Sequence, residues 1–119
     1  MQLSLLAYTP THIHVGATGD IFNMFTVEVD PLAAVLGATP YANNLLLNLE
    51  TAKMIDSSGI GWLITCHKRF VQNKHRFIIH SIPPLILQVL SLVHIDRIIE
   101  CAADHDAATR LLESPVRTP

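Results

Sequence analysis

Apolar and polar positions along the chain follow two periods, and each switch between them marks an element. Gln2 to Tyr8 and His12 to Ala17 carry the short apolar-rich runs of strands. They meet at Thr9-Pro10-Thr11, where the proline favours a turn, so an antiparallel hairpin is predicted, with Gly19-Asp20 ending its second strand. Beyond residue 45 the pattern alternates. Leu45–Leu49 reads as a buried strand and Ser58–Asn73 as a helix. Phe77–His80 then reads as a strand and Pro84–Leu92 as a helix, before a strand at Ile98–Cys101 and a last helix, capped by Asp104, through Leu112. Parallel strands need helical crossovers, so this order predicts an α/β fold. The expectation is a mixed sheet of about five strands, antiparallel at the N-terminal hairpin and otherwise mainly parallel, covered by about four helices.

The segment Asn23 to Gly37 supports two readings. Asp30-Pro31 can cap and open a short helix through Leu36, closed by Gly37, or a helix beginning near Thr26 is interrupted at Pro31. Ala38-Thr39-Pro40 is loop on either reading. The whole fits a single domain over residues 1–113, with 114–119 a flexible tail holding two prolines.

Composition narrows the function classes. Half of the 119 residues are hydrophobic and 15% are charged, which points to a packed core rather than disorder. A net charge of −2 gives no general attraction to nucleic acid or acidic lipid. Lys68, Arg69, Lys74 and Arg76 gather locally, as expected of a solvated helix end. No apolar run approaches the ~18 residues that span a bilayer, so membrane insertion is not expected. The N-terminus reads as a strand rather than a leader, and Cys66 and Cys101 lack metal or redox spacing, so a cytoplasmic protein with reduced thiols is the economical expectation.

Candidate chemistry concentrates in Asp56-Ser57-Ser58-Gly59-Ile60-Gly61, placed between the strand at Leu45–Leu49 and a helix. A helix N-terminus has free N–H groups and partial positive charge, so Asp and Ser are expected there simply as caps. Two serines on such an edge can also accept a phosphate, which suits that end of the dipole. Gly59 and Gly61 have likewise two explanations, close packing of the helix on the sheet or bare backbone that lets a partner approach Ser57.

This stretch resembles the STAS family, the domain of bacterial anti-sigma-factor antagonists, and the pattern-level resemblance extends from the hairpin to the final helix. Ser81-Ile82-Pro83-Pro84 with Ile86, Val89 and Leu90 looks like the family's third helix, and Ile95 with Arg97-Ile98-Ile99 like its last strand and approach. His94 stands where glycine is usual, which implies a positive φ. The resemblance implies an antagonist working by partner switching: unphosphorylated, it captures an anti-sigma factor that is an ATP-binding serine kinase. Phosphorylation of Ser57 breaks that complex and a serine phosphatase resets it. The implied contact surface is Asp56, Ser57, Ser58, Gly59, Gly61 and Trp62. Two other roles stay open, a scaffold or sensor subunit of a STAS signalling assembly and a subunit regulating a membrane transporter.

A helical wheel puts Ile60, Leu63, His67, Phe70 and Val71 on the inner stripe, with Cys66 and Ile64 at its edges, and turns Trp62 outward as an interface anchor or a cover for a loop. His67 then reads as a packed boundary residue. His12 and His14 share a strand face, but no third ligand has convincing spacing, so neither metal nor cofactor is expected. No Walker or dinucleotide glycine loop appears, and Ser-Gly-Ile-Gly does not match the Gly-x-Ser-x-Gly elbow, so the chain is not expected to be an enzyme.

Overall fold

The computed structural model describes residues 2–22 and 30–114. In chain order the elements are β1 (Gln2–Tyr8), β2 (Ile13–Ile21), α1 (Pro31–Leu36), β3 (Leu45–Asn48), β4 (Ala52–Ile55) and α2 (Ser57–Gln72). They continue with β5 (Phe77–His80), α3 (Pro84–Leu92), a 3₁₀ turn (Ile95–Arg97), β6 (Glu100–Ala102) and α4 (His105–Leu112). The sheet runs β1-β2-β3-β5-β6, with β4 paired to β2 off this path. Among the described residues only β1–β2 is antiparallel; the other pairings are parallel. The expected α/β architecture is therefore observed, with a sixth strand.

The second strand does not stop at Gly19-Asp20. It runs on to Ile21 because β4, a strand that the sequence pattern does not predict, pairs with Gly19–Ile21. Thr51 turns the chain beside β2, its hydroxyl 3.0 Å from that of Thr18 and its carbonyl accepting from Gly19 N–H at 3.2 Å. The last strand is also displaced, to Glu100–Ala102, since Ile98 and Ile99 close the 3₁₀ turn through N–H bonds to the Ile95 carbonyl.

Caps explain the helix starts. Asp30 accepts from Leu32 N–H at 3.0 Å with Pro31 in the first turn, and Gly37, at φ +91°, ends α1. This is the first of the two readings for that segment; its part at Asn23–Val29 lies outside the described residues, as does the tail from Pro115. Asp104 caps α4 by accepting from Ala107 N–H at 2.8 Å. His94 has φ 58° and ψ 33°, the left-handed conformation expected of it.

Register divides the sheet into two faces. Ile13, Leu45 and Phe77 are aligned on one face, as are Val15, Leu47 and Ile79, and α1, α2 and α3 cover them in the main core. The opposite face carries His14, Leu46 and Ile78 in register, and Asn48 beside His80, under α4. Two of the four clustered cations are committed to tertiary contacts. Arg69 donates to Asp30 and Tyr41 at 2.9 and 3.0 Å, and Arg76 clasps Glu100 and donates to the Ser114 carbonyl at 2.8 Å.

Candidate functional site at the start of α2

Four residues, Asp56 to Gly59, carry the chain from β4 into α2. Asp56 is extended, at φ −110°, and its Oδ1 accepts from Gly59 N–H at 2.8 Å and from the Ser58 hydroxyl at 2.6 Å. Those bonds, the Ser58 hydroxyl first, hold its carboxyl below the usual carboxylate range. Asp56 N–H in turn reaches the Ile21 carbonyl at 3.4 Å, which ties the cap to the end of β2.

The two serines are thereby distinguished. Ser58 is occupied with the cap, whereas the Ser57 hydroxyl, also exposed, has no hydrogen-bond partner among the described residues. The glycines divide just as sharply. Gly59 is buried, and a Cβ there would fall 2.2 Å from the Ile21 carbonyl oxygen and 2.8 Å from its carbon. Gly61 is exposed with no atom within 4 Å of the same position. Close packing therefore explains Gly59, and open backbone describes Gly61.

Trp62 corrects the helical-wheel expectation. It is fully buried in the main core, and its indole N–H has no partner among the described residues, so it presents no surface anchor. The inner face of α2 is Gly59, Trp62, Leu63, Cys66 and Phe70, while Val71, assigned to the inner stripe, is 54% exposed. The buried side is turned toward Trp62 because Gly59 has no side chain to hold the helix off β2. His67 is half-buried at its edge.

Two exposed apolar side chains stand out on or just past the strands that lead to this helix start, and the sequence pattern does not single them out. Phe22, just past β2, and Met54, on β4 two residues before Asp56, are both large and exposed. On β4 buried Ala52 and Ile55 flank exposed Lys53 and Met54 across a register shift, so the strand lacks the strict alternation that would stand out without its partner. His12 and His14 do lie on one face, and the fold adds His80 and His105 to them, from β5 and α4. No helix among the described residues is long and apolar enough to cross a membrane.

The model of the STAS domain family matches residues 11–108. Among solved structures, an anti-sigma factor antagonist from Thermotoga maritima superposes with a TM-score of 0.75 at 17% identity, covering 91% of this chain and 92% of its own. An anti-sigma-factor antagonist (STAS) domain protein from Planctomyces limnophilus gives 0.65 at 17% identity, with coverages of 93% and 99%. The anti-sigma factor antagonist SpoIIAA in its unphosphorylated form gives 0.68 at 18% identity, with coverages of 96% and 99%. No curated protein matches the chain.

Proposed function

The chain belongs to the STAS domain family, and from that premise we propose that it is an anti-sigma-factor antagonist controlled by phosphorylation of Ser57. Unphosphorylated, it binds an anti-sigma factor that is also an ATP-binding serine kinase. The kinase transfers phosphate to the Ser57 hydroxyl, the complex separates, and a serine phosphatase restores the binding form. The protein itself acts by binding and carries out no catalysis.

One observation carries the choice of residue: the Ser57 hydroxyl is exposed and unengaged at the α2 N-terminus, while its neighbour Ser58 is bonded to Asp56 at 2.6 Å. A phosphate on Ser57 sits where a helix dipole tolerates charge, so the fold survives the modification. Asp56 stands beside it and remains ionised, so the added charge is carried outward to the contacting surface rather than neutralised. An interface formed over Phe22, Met54 and Gly61 then has to bury an uncompensated dianion, which weakens it strongly.

Pull-down with the cognate kinase, read alongside phosphopeptide mapping, tests this. Wild type and Ser57→Ala should retain the partner, and Ser57→Asp should lose it by about tenfold or more. The phosphate should map to Ser57 and persist in Ser58→Ala. Phosphate on Ser58, or full partner binding by Ser57→Asp, would overturn the mechanism.

A further inference from the structure

Four of the chain's seven histidines gather on the face of the sheet away from the main core. His14 comes from β2 and His12 from the residue just before it, His80 from the end of β5, and His105 from the first turn of α4. His14 is nearly buried and His80 fully so, and their Nε2 atoms face each other at 3.0 Å. The His14, His80 and His105 rings form a triangle with centroid separations of 5.1, 4.3 and 5.7 Å.

One side of that triangle, the His14–His80 pair, has the dimensions that a shared metal ion requires. Imidazoles bound to one tetrahedral ion through bonds of ~2.0–2.1 Å have their nitrogens about 3.3 Å apart and their ring centroids about 5.2 Å apart. The His14–His80 pair is within a few tenths of an ångström of that spacing. His80 is also oriented from behind, its Nδ1 lying 2.8 Å from the Ser81 hydroxyl, and Ser81 is held at a positive φ of 56°. In the tautomer whose Nδ1–H donates to Ser81, His80 Nε2 keeps its lone pair, which accepts from His14 Nε2–H in the metal-free protein and is released to a ligand when that proton moves to His14 Nδ1.

With the side chains as they lie, no three candidate donor groups among the described residues converge on one point. The His105 ring is instead stacked on that of His14, 14° from parallel with centroids 4.3 Å apart, which is a packing contact and not shared coordination. His105 is exposed in the first turn of α4, where side chains exchange rotamers readily, and a shared site requires its ring to leave the stack and turn toward the pair.

We propose that His14, His80 and His105 form a binding site for one divalent transition-metal ion of the zinc type, completed by water. Imidazole donors select Zn²⁺, Co²⁺, Ni²⁺ or Cu²⁺ over the oxygen-seeking Mg²⁺ and Ca²⁺. Binding replaces the ring stack by coordination and fastens α4 to β2 and β5, so the ion acts as a clamp on the smaller face of the sheet.

Tag-free, chelator-treated protein titrated with zinc sulfate at neutral pH tests the site by calorimetry and thermal unfolding, with cobalt(II) as a coloured probe. One ion per chain, a raised Tm and the intense visible bands of tetrahedral cobalt are expected. His105→Ala should leave the metal-free Tm unchanged and lower zinc affinity by at least about tenfold, because one of three ligands is lost. His94→Asn, at an exposed histidine outside the cluster, should bind as wild type. Failure to saturate at one ion per chain, or wild-type affinity in His105→Ala, would overturn the proposal, whether or not variants at the buried His14 and His80 fold.

Discussion

The two faces of the sheet are built on different principles. The larger is a continuous apolar core, where Val15, Leu45, Leu47, Phe70 and Ile79 are fully buried under three helices and Phe70 stacks on Phe77 with ring centroids 5.5 Å apart. The smaller has only Leu46, Ile78 and Ala108 as its buried apolar cluster, and beside them the rings of His14 and His80 occupy space that hydrocarbon would fill in an ordinary core. The same strands serve both, since Leu45 and Leu47 point one way and Leu46 the other. Stability therefore belongs to the first face. The second has exchanged part of its hydrophobic stabilisation for polar rings bonded to each other.

Paired truncations give this contrast its largest test. Leu47→Ala should cost about 3–5 kcal/mol, because three helices restrain collapse around the cavity, whereas Leu46→Ala should cost about 2–3 under a single helix. Urea unfolding of both variants checks the order. Equal losses would break the comparison.

Packing on the larger face is closest where α2 crosses β2, and Gly59 reports it. A methyl group there meets the Ile21 carbonyl at 2.2 Å and Ile55 Cγ1 at 2.9 Å, neither of which can yield without moving backbone or core. Gly59→Ala should cost about 2–4 kcal/mol. Gly61→Ala, two residues on and open to solvent, should instead stabilise the helix by up to about 1 kcal/mol. Thermal unfolding of the pair separates a glycine needed for contact from one that merely stands at the surface.

The smaller face should reveal itself through acid. Burial first, then neighbouring histidines, lower His14 and His80 each to about 4, with His105 acting on both rings, His12 on His14, and Asp104 alone pulling His80 upward. Unfolded histidine titrates near 6.5, so the unfolded chain binds more protons between these values. Chelated protein should thus hold full stability above pH ~6.5 and lose up to about 3 kcal/mol per ring as pH falls to 4. Denaturant midpoints across that range measure it, and His14→Phe, if it folds, should flatten the slope.

How much of this was legible beforehand follows from how local each signal is. The hairpin at Pro10, the strand at Phe77–His80, and the caps at Asp30, Asp56 and Asp104 depend on neighbours in sequence, and they lie where the pattern puts them. β4 was hidden because four residues of mixed polarity become a strand only against β2. Trp62 was misplaced because a wheel weighs side chains and gives nothing to Gly59, the residue without one, whose contact with Ile21 sets the helix's rotation. The serine pair was recognisable as a candidate, but which hydroxyl is engaged depends on the Asp56 carboxylate at 2.6 Å from Ser58. The histidine cluster needed the fold, since residues 14, 80 and 105 share no spacing.

The smallest effect concerns a histidine that belongs to neither face's chemistry. His94 is exposed between α3 and the 3₁₀ turn, its N–H bonded to the Ser91 carbonyl at 3.1 Å and its carbonyl accepting from Arg97 N–H at 3.1 Å. Both bonds depend on the left-handed backbone at φ 58°, which costs a residue with a Cβ roughly 1 kcal/mol and a β-branched one more. His94→Gly should therefore be as stable as wild type or better by up to about 1 kcal/mol, and His94→Asn close to neutral. His94→Val should lose about 1 kcal/mol, with partner and metal binding untouched in all three. Equal stability of the Gly and Val variants in urea would mean that backbone conformation does not govern this position. The distinction between histidines placed for their rings and one placed for its φ would then have to be redrawn.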